Sequence, residues 1–312
     1  MKRKTSNLQL TGVNGMHKTL KLMAFLLSTG AATVQPASRL MAFPGEGPAQ
    51  SNPAKLQPVA ANSPDIPFTD ESQTEQQFLD LANRSRAEKG LPPLALDAGL
   101  SKAARDHALA MAHAHELSHQ LRNEPALAQR VAAATKIQLD EEAENVAFDY
   151  DAEHGHEHLM LSPPHRANLL NPAYNVVGLG VVRGGDHIYI VQDFGHALPG
   201  YSPAEVKNQI AQAVNLERQK ESHSQLPRRD LLTADDVACS MAQADRLGTG
   251  QVQALAQRYT VMAYTSLNPQ TLPGAAIHAL ANRKVNSFSV GACYGRSATY
   301  PTGVYWVILS LN

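Results

Sequence analysis

From residue 72 onward, apolar positions recur at helical spacing. Phe78, Leu81 and Ala82 share one face. Ser72-Gln-Thr-Glu75 before them has the spacing of a capping box, in which hydroxyl and carboxylate satisfy reciprocal backbone donors. Lys89-Gly90, followed by Leu91-Pro92, supplies a left-handed stop. Asp97 caps a second predicted helix, with Leu100, Ala104, His107, Met111 and His115 on one stripe. That stripe fades near Ser118-His119, and a third helix is predicted from Pro125 to Ala134. A polar helix is predicted from Ala152 to Leu161, ended by Ser162-Pro-Pro164. The period then changes to that of strands. Val176–Val182 and His187–Val191 flank Arg183-Gly-Gly-Asp186, which reads as a β-hairpin.

The pattern divides the rest of the chain. Residues 198–230 are polar and read as a connecting segment holding one helix, Pro203 to Glu221. Residues 231–312 read as a small α+β unit, with helices near Asp235–Leu247 and Gly274–Asn282 and strands at Phe288–Tyr294 and Gly303–Leu311. A displacement of 113 residues aligns Val177 with Val290, Gly178 with Gly291 and His165 with His278. Either duplication or chance agreement between short hairpins gives such a match, and the absence of counterparts for His119 and Glu144 tips the reading toward chance.

Composition narrows the class. Hydrophobic residues are 43% and charged residues 18%, as in an ordinary soluble protein, and a net charge of −1 offers no field for nucleic acid. The first 37 residues have the order of an export signal: Lys18 and Lys21, the apolar run Leu22–Val34, then small residues, with cleavage expected between Ala31 and Ser38. The run is too short to span a bilayer, which needs about 20 apolar residues. Residues 38–71, rich in Pro, Ala and Ser, read as a disordered linker. A secreted, periplasmic or cell-envelope location is therefore expected, with no membrane span after signal removal. In that setting Cys239 and Cys293 are expected to form one bridge, two buried thiols being the alternative.

Of the 13 histidines, eight lie between His107 and His165. They accompany four short motifs in order: Asn83-Arg-Ser-Arg86 with Gly90-Leu-Pro-Pro-Leu94, then Leu117-Ser-His119, Glu144-Asn-Val-Ala147, and Ser162-Pro-Pro-His-Arg-Ala-Asn-Leu-Leu170. With Val191-Gln-Asp-Phe-Gly195 closing the hairpin, residues 72–197 resemble the bacterial CAP superfamily, the SCP-like fold of cysteine-rich secretory and pathogenesis-related-1 proteins. The resemblance implies an α+β fold: a three-layer α-β-α sandwich with an antiparallel sheet and a surface cleft. It also implies that His119, Glu144 and His165 line the cleft and can hold a divalent metal. The family's second glutamate falls at Ser162, its tryptophan is Leu159, and the glycine before Glu144 is Ala143.

The residue types carry chemistry of their own. Two imidazoles and a carboxylate are a Zn²⁺ set with a position left open, and they equally form a hydrogen-bonded cluster that merely fixes the cleft. Arg166 reads as an anchor for carbonyls or a carboxylate behind the cleft, and Asn168 as a residue that orients a loop. His154 and His158, four apart on a helix, could share a second cation or simply be polar residues on its solvated face. His107, on the apolar stripe, reads as a satisfied core histidine. The functional expectation is an exported binding module for a metal, a small apolar molecule, a glycan or a protein. A metal-dependent hydrolase needs a general base that the sequence does not display, and a vestigial envelope protein would have no use for an intact cleft.

Overall fold

The computed structural model describes residues 69–312. The expected signal segment, and all but the end of the expected linker, lie outside them. Order is already present at β1 (Thr69–Asp70), which pairs with a later strand. Helix α1 (Ser72–Glu88) follows directly. The capping box does not form: Glu71 is the N-cap, and no side chain caps the helix there. Glu75 instead turns inward to a bidentate pair with Arg105, at 2.6 and 2.5 Å.

The first unit continues with β2 (Ala95–Leu96), α2 (Ala98–Ala114), α3 (Leu127–Ala134), β3 (Gln138–Asp149), α4 (Ala152–Leu161), α5 (Pro163–Leu169), β4 (Val176–Gly184) and β5 (His187–Leu198). Its main sheet runs β1-β4-β5-β3, antiparallel throughout, with β2 added to β4 in parallel. One face carries Val177, Leu179, Val181, Ile188, Ile190 and Phe194 against Phe78 and Ala82 of α1 and Leu159 of α4. The other carries Val146, Val182, Tyr189 and Val191 against Ala104, Ala108 and Met111 of α2. The alternation of side chains along each strand thus feeds two cores and gives the expected three-layer sandwich.

Two anchors hold the helical layers to their loops. Asn83 both donates to and accepts from the Leu94 backbone, at 3.1 and 2.7 Å. The fully buried guanidinium of Arg86 donates to the carbonyls of Pro92, Leu169, Asn171 and Tyr174 at 2.9–3.0 Å. Buried carbonyls with no helix or sheet partner are thereby satisfied by one side chain.

The second unit starts earlier than its pattern suggests. Helix α6 (Pro203–Lys220) is no connector: Val206, Ile210 and Val214 are fully buried in the second core. There follow α7 (Ala234–Ala244), α8 (Gly250–Ala256), β6 (Thr260–Ser266), α9 (Gly274–Leu280), β7 (Phe288–Gly295) and β8 (Val304–Leu311). The sheet order β6-β8-β7 matches β3-β5-β4, with α7 and α8 on one face and α6 and α9 on the other. The anchors recur as well. Asn215 makes the same reciprocal pair with Leu226, and buried Arg218 donates to the carbonyls of Ser224, Leu280 and Asn282. Gly291 meets the α7 backbone as Gly178 meets that of α2. This agreement in order, pairing and anchors goes well beyond two similar hairpins: the unit is a second, reduced copy of the sandwich. Among the described residues α4 has no counterpart, a short loop joining β6 to α9 in its place.

The two copies touch where the α3–β3 connection meets the β7–β8 loop. Thr302 bonds both backbone groups of Leu139, and Arg296 donates to the carbonyls of Ala132 and Thr135 at 2.6 and 2.8 Å. Within the second copy Cys239 and Cys293 are bridged, joining α7 to β7 as the export reading expected. The bridge spans 54 residues, so opening it restores chain entropy to the unfolded state and should cost about 2–4 kcal/mol. Urea denaturation of Cys239→Ala/Cys293→Ala measures this. An unchanged midpoint would show that packing alone holds α7 on the sheet.

Candidate functional site

Strand β3 and the α2–α3 loop build the site. His115 ends α2 in the left-handed conformation, φ 49°, and turns the chain so that His119 arrives over the β3 edge. There His119 Nδ1 lies 2.9 Å from Glu144 Oε1. The other carboxylate oxygen, Oε2, accepts from Nη2 of Arg130, which α3 carries inward. Arg130 also donates to the carbonyls of His119 and Pro125, at 3.2 and 3.3 Å, so one cation fixes both the loop and the carboxylate. His107 is indeed a satisfied core histidine. It is fully buried, with Nδ1 2.7 Å from Glu124 and Nε2 2.9 Å from the carbonyl of Ser118.

The opposite side of β3 supports His165. Asn145, fully buried, donates to the His165 carbonyl at 3.1 Å, and Asn168 donates to Asn145 Oδ1 at 2.9 Å. Asn168 therefore orients the segment, as its type suggested. Arg166 caps the Met160 carbonyl at 2.9 Å, an anchoring role. Ser162 ends α4 and precedes α5 without a side-chain cap bond, and nothing draws it into the cluster. Burial, and then the charge of nearby His119, lower the proton affinity of the His165 ring, which favours its neutral form.

Residues that the sequence reading did not single out complete the electrostatics. Asp193 on β5 is the cross-strand partner of Glu144 and is fully buried, facing that carboxyl with no N–H donor on either oxygen. Burial first, and the Glu144 charge second, push its carboxyl well above the usual range. Glu142, two residues before Glu144 and on the same face of the strand, is pushed up to about 7 by burial, with Arg130 opposing. A lone arginine in the Ala-rich stretch Leu127–Ala134 was the available sign of Arg130.

The polar cluster has no echo in the second copy. Strand pairing puts Ala263 at the place of Glu144, Ile308 at that of Asp193 and Val261 at that of Glu142. Leu280 and Asn282 correspond to Leu169 and Asn171, which puts Ala276, not His278, at the place of His165.

The three-residue metal set does not assemble as three ligands. Both oxygens of Glu144 are engaged, and among the described residues no group of three or more His, Cys, Asp or Glu side chains is placed to hold an ion. A neutral His119 that donates from Nδ1 to Glu144 keeps a free lone pair on Nε2. His119 thus has a carboxylate behind its ring, an arrangement typical of ligating histidines.

Residues 79–194 match the model of the cysteine-rich secretory protein family, CAP. The chain is 31% identical over 122 residues to the uncharacterized membrane protein YlbC of Bacillus subtilis (strain 168), a match covering 39% of this chain and 34% of that one. It thus spans about a third of that relative's length. Among solved structures it is similar to an extracellular SCP-domain protein from Bacillus anthracis, with 28% identity, 40% and 41% of the two chains covered, and a TM-score of 0.37. A cysteine-rich secretory protein from Staphylococcus aureus gives 24% identity, 40% and 39% coverage, and a TM-score of 0.33. The matched residues all lie within the first unit, the part of the chain that resembles a CAP domain.

Proposed function

We propose that this is an exported CAP-domain binding module whose cleft takes a divalent ion, Zn²⁺ foremost, on His119 and His165. Glu144 acts as the positioning carboxylate rather than as a ligand. The observation that carries this reading is the chain Arg130–Glu144–His119, which fixes one imidazole in the ligating tautomer before any ion arrives. Burial, the larger cause of the lowered proton affinity of His165, favours the neutral form that a ligand needs. The bound ion would supply open coordination positions for a small, glycan or protein ligand. Export is supported by the basic-then-apolar-then-small order of the N-terminus and by the disulfide, which persists in oxidising compartments.

Zn²⁺ should raise the melting temperature, since an ion that binds only the folded state stabilises it by about 2.7 kcal/mol at a hundredfold excess over Kd. His165→Ala should remove the rise attributable to the cleft. The effect should fade as pH falls past about 6, where imidazoles take up protons in competition with the metal. Differential scanning fluorimetry with and without chelator checks all three. An equal rise in wild type and variant places the ion elsewhere.

A further inference from the structure

Helix α4 carries three histidines, and they do not behave alike. His156 turns inward, with Nε2 2.9 Å from Ser85 Oγ, and is buried. His154 and His158 face solvent, their side chains 60% and 62% exposed. Each exposed ring is tied through Nδ1 to a carboxylate. His154 lies 2.8 and 2.9 Å from the two oxygens of Asp151, and His158 lies 2.5 Å from Asp149. The Asp149 side chain is only 4% exposed, so a buried carboxylate is aimed at an exposed imidazole.

We infer that His154 and His158 form a surface site for an imidazole-preferring divalent cation of the zinc–copper class, separate from the cleft. The argument is one of tautomers and spacing. A carboxylate only accepts, so Nδ1 of each neutral ring is the donor and Nε2 holds the free lone pair. Residues four apart on a helix are neighbours on one face, so the two rings stand on adjacent turns, each with Nε2 left as its donor atom. Imidazoles backed by carboxylates are the ordinary environment of a ligating histidine, and N donors suit Zn²⁺ and Cu²⁺. Water completes the coordination at so exposed a position. A solvated helix face requires exposed polar side chains, but not a buried aspartate spent on holding one of them.

Calorimetric titration of the full chain with Zn²⁺ tests the inference. Wild type should take up an ion at α4 in addition to any in the cleft. His154→Ala/His158→Ala should lose the α4 ion and keep the cleft ion. Alanine is the better helix former, so α4 should persist, as far-UV circular dichroism can verify. Asp149→Asn, which leaves both imidazoles in place, should weaken the α4 ion about tenfold or more. A double variant that binds as many Zn²⁺ ions as wild type, with the same affinities, overturns the inference. So does a wild type whose only ion disappears in His119→Ala/His165→Ala. If that cleft variant binds as wild type does while the α4 variant binds nothing, the α4 site stands and the cleft reading falls.

Discussion

Gly178→Val should prevent the first unit from folding. A Cβ placed on Gly178 would lie 2.1 Å from the backbone carbon of Leu100 and 2.4 Å from the amide nitrogen of Ser101. These are main-chain atoms of α2, so no rotamer change relieves the overlap. The helix would have to lift from β4, opening the layer in which Ala104, Ala108 and Met111 meet Val182 and Val191. Ordinary overpacking costs about 1–3 kcal/mol, and moving a whole helix should exceed the roughly 4–5 kcal/mol that marks exceptional substitutions. Gly90→Ala is the control. Gly90 has φ +70° with nothing near its Cβ position, so the change should cost about 1 kcal/mol of backbone strain. Denaturant unfolding followed by circular dichroism separates the two. If Gly178→Val unfolds at the wild-type midpoint, α2 does not lie against β4 as described.

Arg130→Met should cost about 3–5 kcal/mol near pH 8, because removing one partner of a buried ion pair leaves the other uncompensated. The side chain of Arg130 is 6% exposed and that of Glu144 4%. Glu142 and Asp193, on the same face of the sheet, also depend on that cation. The pH dependence gives the diagnostic. Carboxyls raised in the folded state bind more protons there than in the unfolded chain, so their contribution to stability falls as pH rises from the unfolded to the folded pKa. For Glu142 in the wild type that window runs from about 4.5 to about 7. Without Arg130 the carboxyls should rise further. The gap between wild type and variant should then be widest at pH 8 and narrow toward pH 5. Urea titrations in chelator across this range test it, and a gap constant with pH would reduce Arg130 to a packing role.

The legibility of the chain followed its chemistry. Helices α1 and α2 and the β4–β5 hairpin were readable because their buried positions are apolar and keep a period. Strand β3 was not, although it is the backbone of the site. Gln138-Leu-Asp-Glu-Glu-Ala-Glu-Asn-Val-Ala-Phe-Asp149 places Glu142, Glu144 and Asn145 where a plain strand would carry hydrophobic side chains. The site itself erased the alternation that reveals a strand. His119, Glu144 and His165 were found through motif order, whereas Arg130 and Asp193 act through long-range pairing that no local window contains. Helix α6 was visible as a helix. Its apolar stripe of Val206, Ile210 and Val214 was the missed sign that it had a core of its own to fill.

The paired sandwiches make this molecule its own reference. Asn83 and Asn215, Arg86 and Arg218, and Gly178 and Gly291 persist in both halves, so architecture alone requires them. Glu144, Asp193 and His165 have given way to Ala263, Ile308 and Ala276, so the same architecture stands without them. A polar cluster that a twin scaffold does without, while keeping the same sheet order and anchors, is a cost borne for something outside folding. Reversing those replacements one at a time in the second half would show how few side chains separate an inert sandwich from one able to hold a guest.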